Sequence, residues 1–371
     1  MAKNTFQISY PSIHSGTAKS KIQFLKGIPD LISVFKPGES SDQKRLFVTD
    51  GTVASLECMK PFIAKFDDDC CGNDYLLIIG SGEAYKTIET VLTICKKATE
   101  TGFSRKDTFV GIGGGVVCDL TAFAASIYKR GAAVQFVPTT LLAMVDASVG
   151  GKTGCDFDNL KNMIGSFFPA TNLYYWPEFV QYLPENQYTS GLAEAFKTAL
   201  LYNTELYNFF RDESEKIKAR DSEALDYIIQ SCVRAKASVV EKDFTEKNER
   251  ALLNLGHTFA HALESIAGLG AVTHGEAVAW GIGRQIELSY KKEYCREAFR
   301  DEIFSILEKY NWETNAIPSV VKGGGIGERF LNAMRKDKKN LTSKIKLIIT
   351  KGIEDTIMEE VEDNEIISVL K

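Results

Sequence analysis

Histidine is scarce in this chain. There are four in 371 residues, and three of them, His257, His261 and His274, crowd into one apolar stretch. Cysteine pairing signals are missing as well. The eight cysteines are scattered, no CxxC occurs, and only Cys70 and Cys71 adjoin, a spacing that rarely bridges. Reduced thiols in a cytoplasmic setting are expected. No apolar run approaches the roughly 20 residues that span a bilayer, and the opening MAKNTFQISYPS has no apolar core of signal-peptide length. No basic block stands out. A net charge of −5 and a pI near 5.6 argue against nucleic acid or an anionic membrane as a partner. After Pro184 only Pro318 remains, so long helices can run there uninterrupted.

What is present is an ordinary globular composition, 44% hydrophobic and 25% charged, with chain enough for two domains. Up to about residue 180, short apolar runs alternate with helical patterns. The runs are RLFVTD (45–50), DYLLIIG (74–80), DTFVGIGGGV (107–116), AAVQFVPTT (132–140) and NLYYWP (172–177). Several are apolar on both faces, as buried parallel strands are, so βαβ units are expected. Beyond Pro184, stretches such as SGLAEAFKTALLYNTELYNFF carry apolar residues at three- and four-residue spacing and read as helices. The expectation is an α/β domain over 1–180 and a mostly helical domain over 181–371, with KIKLIIT as one stray strand.

Four constellations carry chemistry. FVGIGGGVVCDLTAFAA sets a glycine cluster between a strand and a helix, where backbone amides can approach a pyrophosphate. Its spacing is not GxGxxG, and a plain tight turn stays open. Asp119, just inside that helix, could cap it or meet a nucleoside. VDASVGGKTG ends like a phosphate loop but has Asp146 where a P-loop needs glycine. It reads as a flexible loop carrying Lys152; with Lys161 and Asn162 in LKNMIG it points to an anionic ligand, against the plainer reading of solvated surface lysines. In SGLAEAFKTAL, Glu194 and Lys197 share a helix face. A surface ion pair is the common explanation, yet the apolar flanks favour burial. His257 and His261 stand one helical turn apart on one face, a spacing that suits a metal clip or one ligand beside an acid/base group. Thr258 occupies the glutamate position of HExxH, which disfavours a metalloprotease. His274 opens a new helix, and Glu194, His257 and His274 would supply three ligands of an open catalytic zinc site.

Taken together, GSGEAYKT, GIGGGVVCDLTAFAA, YKRG, VPTTLLAMVDASVGGKTG, KNMIG, SGLAEAFK, RALLNLGHTFAHALE, HGEAVAWG and DKKN resemble, in one order along nearly the whole chain, the 3-dehydroquinate synthase family of sugar phosphate cyclases. The resemblance implies a Rossmann-like parallel-sheet NAD domain followed by a helical metal- and substrate-binding domain. It implies zinc or cobalt on Glu194, His257 and His274, with His261 facing substrate. NAD would lie against Asp50, Glu83, Lys86, Gly114, Gly115, Val116, Asp119, Thr139, Thr140, Lys152, Lys161, Phe179 and Tyr182. Asp146, Lys152, Asn162, Lys197, Lys236, Arg250, Asn254, His261 and Lys338 of DKK would surround a phosphorylated heptulosonate. Arg130 of YKRG would reach the phosphate from the partner subunit of a homodimer. The implied reaction is that of a carbon–oxygen lyase: transient oxidation, β-elimination of phosphate, re-reduction and aldol closure to 3-dehydroquinate.

The chain departs from the family pattern at Cys118, Thr121, Ala122, Tyr182, Phe244, Thr245, Asn248, Glu249, Ser343 and Lys346. None is a metal ligand, but they leave room for a sibling cyclase such as a 2-epi-5-epi-valiolone or 2-deoxy-scyllo-inosose synthase. A metal-dependent alcohol or glycerol-phosphate dehydrogenase would differ by net NADH turnover. A catalytically dead scaffold would not need the intact ligands and lysines.

Overall fold

The computed structural model describes residues 4–10, 18–36, 42–67, 72–158, 160–268, 270–337 and 344–371. They group into two units, one of residues 1–183 with 236–245 and one of 184–235 with 246–371. Lys338, Lys339, Ser343, Cys70 and Cys71 lie outside the described residues. The six described cysteines are free thiols. No described helix is long and apolar enough to cross a membrane.

In the first unit the strands are β1 (Thr5–Tyr10), β2 (Ala18–Phe24), β3 (Arg45–Asp50), β4 (Asp74–Ile79), β5 (Thr108–Gly113), β6 (Ala133–Pro138), β7 (Lys152–Phe157), β8 (Leu160–Phe167) and β9 (Asn172–Tyr175). The helices are α1 (Leu31–Val34), α2 (Gly51–Ala54), α3 (Lys60–Ala64), α4 (Ile88–Glu100) and α5 (Gly115–Ile127). Seven strands form one sheet in the order β1-β2-β9-β6-β5-β3-β4. Every pairing in it is parallel except that of β1 with β2. Every residue of β5, TFVGIG, is buried, as a central parallel strand covered on both faces requires. From β3 the chain steps to β4 on one side, then returns to β5 on the other. That reversal is a topological switch point, where open α/β sheets form a crevice beyond the strand carboxyl ends. Asp50 ends β3 and Gly113 ends β5, so both stand at that crevice.

The second unit holds α6 (Glu185–Tyr202), α7 (Thr204–Asp212), α8 (Ser214–Lys218), α10 (His257–Ala267), α11 (His274–Lys291), α12 (Glu297–Lys309), α13 (Ile326–Asp337), α14 (Asp363–Ser368), and most of α9 (Ser222–Lys242), whose last turns from Lys236 group with the first unit. Nearly all of α6 beyond its first turn is buried, as is α11, which explains their apolar residues all round rather than on one stripe. α11 starts at a full capping box, Thr273 with Glu276.

The five apolar runs became β3, β4, β5, β6 and β9. Two expectations fail. The GGKTG and KNMIG segments are not a flexible loop but the antiparallel hairpin β7–β8. Its β8 residues are mostly exposed, and Gly154 and Gly165 face each other across the ladder, where any Cβ would strike the opposite backbone. Exposure and glycine together erase the apolar signature of a strand. KIKLIIT is not alone: β10 (Ile345–Gly352) pairs with β11 (Asp355–Val361), whose adjacent Glu359 and Glu360 interrupt the apolar run and hid it. Arg250 lies on a short 3₁₀ helix, Glu249–Asn254.

Candidate active site

Three helices of the second unit deliver the metal-type side chains. Glu194 sits in mid-α6 and is 1% exposed. His257 is the first residue of α10 and His274 the first of α11. Two close approaches fix their spacing. Gly275 packs on the backbone of Ser190, one turn before Glu194, and Gly281 packs on the backbone of Gly256, next to His257; a Cβ at either would overlap that backbone. Gly256 itself has φ +83, a left-handed conformation that favours glycine. The helix starts that carry His257 and His274 are therefore set by backbone contact, not by adjustable side chains.

His257 Nε2 lies 3.5 Å and His274 Nε2 3.2 Å from the same oxygen, Glu194 Oε1. The other imidazole nitrogens are engaged elsewhere. His257 Nδ1 donates to Leu255 O at 3.1 Å, and His274 Nδ1 lies 3.5 Å from Glu264 Oε1. Those partners leave both Nε2 atoms turned toward the carboxylate, the usual orientation of metal-binding histidines. The three donor atoms fall within 4.8 Å of one another. Lys197 Nζ approaches Glu194 Oε2 at 2.5 Å with both side chains 1% exposed. The Glu194–Lys197 pair is thus buried, not a surface ion pair.

Burial would raise the Glu194 carboxyl, but the Lys197 ammonium and the two imidazoles outweigh it and hold it well below the usual carboxylate range. Burial and Lys197 keep His257 well below the ordinary histidine value. Burial also pulls on His274, yet the carboxylates of Glu194 and Glu264 lift it to about 9. Neither Glu194 oxygen accepts a hydrogen bond, although both are buried; the neighbouring cations stand close without hydrogen-bond alignment. A buried carboxylate with unused lone pairs, facing two imidazole nitrogens, fits a divalent cation. His261 adjoins, its ring centre 5.5 Å from that of His257 and 6.1 Å from that of His274. With Glu264 and His274 it forms a second, overlapping donor group. Glu264 was missed in the sequence, though it follows His257 by seven residues and His261 by three, on the same helix face. Arg250 is 1% exposed, so it does not decorate a surface. Asn254, on the same turn, donates to Glu246 Oε1 at 2.7 Å.

The first unit sets a glycine turn at the switch point. Gly113 to Gly115 turn from β5 into α5. A Cβ on Gly113 would come within 2.5 Å of Val117 Cγ2, so glycine lets helix and strand close up. α5 begins at Gly114 with no side-chain cap, which leaves its first amides open to an anion. Val116 is half-buried beside them. Asp119 does not cap the helix; its Oδ2 pairs with Lys86 Nζ at 2.7 Å. Burial works against the Lys86 charge, and Asp119, Glu83 and Asp156 more than restore it. Asp50 caps α2, accepting from Val53 N, and also accepts from Ser81 Oγ. Thr140 Oγ1 accepts from Ala143 N, whereas the buried Thr139 Oγ1 has no hydrogen-bond partner. An open helix end, a glycine turn and an orphaned buried hydroxyl at one switch point fit a dinucleotide.

Asp146 sits in a π-helical turn, Ala143–Ala147, a feature that recurs at functional sites. Its Oδ1 and backbone carbonyl accept from Lys236 Nζ at 2.7 and 2.6 Å. Lys152 opens β7; Lys161 and Asn162 follow on β8, all three exposed. Phe179 is fully buried. Tyr182 is 42% exposed and lines a cavity of about 500 Å³ with Ile28, Leu31, Ile32, Cys58, Pro61 and Phe62. Arg130 follows Lys129 in a pair of left-handed residues, φ 67 and 46. The switch-point residues belong to the first unit, and the Glu–His–His set with Lys197, Arg250, Asn254 and His261 to the second.

A switch-point glycine turn in one unit and a Glu–His–His set in the next define a two-unit fold shared with sugar phosphate cyclases. A solved 2-deoxy-scyllo-inosose synthase, complexed with carbaglucose-6-phosphate, NAD+ and Co2+, matches at TM-score 0.85 and 23% identity, covering 99% of both chains. The 2-epi-5-epi-valiolone synthase ValA from Streptomyces hygroscopicus subsp. jinggangensis, with NAD+ and Zn2+ bound, matches at TM-score 0.83 and 24% identity, covering 97% of both. Residues 76–190 match the family described as 3-dehydroquinate synthase N-terminal, and 191–340 the one described as 3-dehydroquinate synthase C-terminal. The 3-dehydroquinate synthase of Acidithiobacillus ferrooxidans is 35% identical over 354 residues, 95% of this chain and 92% of that protein. The chain belongs to the 3-dehydroquinate synthase family.

Proposed function

We propose that this chain is a 3-dehydroquinate synthase, converting 3-deoxy-D-arabino-heptulosonate 7-phosphate to 3-dehydroquinate and inorganic phosphate. The observation that carries the reading is the convergence of His257 and His274 on Glu194, inside a chain that matches 3-dehydroquinate synthases along nearly its full length. Glu194, His257 and His274 would hold zinc or cobalt, and Asp50, the Gly114–Val116 turn, Asp119, Thr139 and Thr140 would hold NAD. When bound, these supply a Lewis acid and a reversible hydride carrier.

The chain's own residues do the rest. Lys197 keeps Glu194 ionised and ready to ligate. In the first unit Lys152 and Asn162 offer a cationic and an amide donor for a phosphoryl group, and in the second Arg250 offers a cationic one. His261, beside the metal set, would orient a hydroxyl or relay a proton. Asp146, fixed by Lys236, and Asn254 are the remaining polar contacts for the sugar acid. Retention of Lys152, Lys236, Arg250, Asn254 and His261 favours a carboxylate-bearing substrate over the carboxylate-free sugar phosphates of the sibling cyclases.

A homodimer is supported by apolar exposure around the hairpin. Phe157, Leu160, Met163 and Phe167 of β7–β8 and Ile127 of α5 are all more than a third exposed, and Ser166 bonds Ser126 to join the two elements. Such a patch marks an interface. Arg130 precedes Gly131, where an added Cβ would lie 3.8 Å from Phe168, the residue after Phe167. A panel of sugar phosphates tests the substrate. The heptulosonate phosphate should release phosphate fastest; preference for a glucose or sedoheptulose phosphate would assign a sibling activity instead.

A further inference from the structure

Asn162 is exposed, yet its side chain is already committed. Lys86 Nζ donates to Asn162 Oδ1 at 2.6 Å. An ammonium carries donors only, so it can meet only the carbonyl end of a carboxamide. The Nδ2 group of Asn162 must therefore face away from Lys86. The backbone is held by the same residue. Asp156 N donates to Lys86 O at 2.8 Å, and Asp156 Oδ1 accepts from Asn162 N at 2.8 Å. Asn162 adopts φ +54, a left-handed conformation that asparagine and aspartate tolerate better than most residues. Lys86 is itself locked, its side chain 7% exposed and paired with Asp119.

We infer that Lys86 is a positioning residue for Asn162: it fixes the side-chain amide with its N–H groups outward, making Asn162 a donor to an anionic oxygen. Without that contact the terminal amide torsion is broad and two-fold. The amide would then present its carbonyl as readily as its N–H groups, and a carbonyl repels a phosphoryl oxygen. Lys86 thereby links Asp119, on the helix that follows the glycine turn, to the hairpin that carries Lys152 and Lys161. That the anion is the phosphate of a sugar phosphate rests on the function proposed above; the orientation of the amide does not.

The test is a calorimetric titration of inorganic phosphate into holoenzyme loaded with NAD and metal. Wild type, Lys86→Met, Asn162→Ala, the double variant and Asn162→Asp are compared, with NAD affinity measured for each. Lys86→Met and Asn162→Ala should each weaken phosphate binding about tenfold, and the double variant should be little worse than Asn162→Ala alone, because one contact is being removed twice. Asn162→Asp keeps the Lys86 contact and the left-handed backbone but has no N–H to offer. It should lose more affinity for phosphate than Asn162→Ala while NAD affinity is unchanged, and this arm stands even if Lys86→Met fails to fold. Additive losses, an Asn162→Asp variant that binds phosphate like wild type, or a wild type that binds none would each overturn the inference. Phosphate binding in the expected pattern without turnover of the heptulosonate phosphate would leave the inference standing and remove the substrate assignment.

Discussion

Oε1 of Glu194 and Nε2 of His274 lie 3.2 Å apart, and the buried Glu194 Oε1 accepts no hydrogen bond that would explain bringing a carboxylate into the core. A divalent cation explains it. Replacing His274 by alanine should abolish stoichiometric zinc or cobalt binding, and with it turnover. Elemental analysis of the purified variant decides: full metal content would mean that these three residues are not the ligands.

Lys197 gives the same centre a stability signature. Its ammonium is the nearest charge to Glu194, and both groups are buried. Lys197→Met should destabilise the metal-free protein by roughly 3–5 kcal/mol, the range for stranding a buried charge. Bound metal should recover part of the loss, since it supplies the missing positive charge. Thermal unfolding with and without metal checks this; an equal loss in both states would show that Lys197 acts through packing alone.

Gly281 has no side chain to contribute, yet it should matter to the metal. Gly281→Ala would drive α11 away from Gly256 and so shift His257 relative to His274. Overpacking of this kind costs about 1–3 kcal/mol, and metal affinity should fall at least tenfold with it. Unchanged metal affinity would show that the glycine contact does not set ligand spacing.

These points show what could be read in advance and what could not. The apolar runs at 45–50 and 107–116 announced buried parallel strands because a doubly covered strand needs no polar face. The spacing of His257 and His261, and the start of a helix at His274, were equally plain. The residues that finish the site were not. Glu264 is an ordinary helical glutamate until α11 brings His274 beside it, and Gly275 and Gly281 look like weak helix positions until their neighbours are known. The β7–β8 hairpin has the composition of a loop because exposed strands with facing glycines carry no apolar period. Long-range packing, absent from any local pattern, decided each of these.

Arg250 is buried on the turn before α10. If it binds the leaving phosphate, Arg250→Ala should lower kcat/KM at least tenfold, the loss of a charge-assisted hydrogen bond worth roughly 1.5–3 kcal/mol. NAD and metal binding should stay near wild type. Normal kinetics on the phosphorylated heptulosonate would remove Arg250 from the site.

The proposed homodimer predicts that sedimentation at micromolar concentration shows one dimeric species. Leu160→Glu, in the exposed face of β8, should shift it toward monomer. A wild type that is monomeric and fully active would refute the shared phosphate site implied for Arg130.

The central claim is a redox cycle that closes on itself. It is tested most directly by following phosphate release and NADH absorbance together, with metal-loaded enzyme, excess 3-deoxy-D-arabino-heptulosonate 7-phosphate and NAD at trace concentration. Many phosphates released per NAD, with no accumulation of NADH, is the expected result. NADH rising in step with consumed substrate would make the protein a dehydrogenase, and no phosphate release would contradict the account altogether.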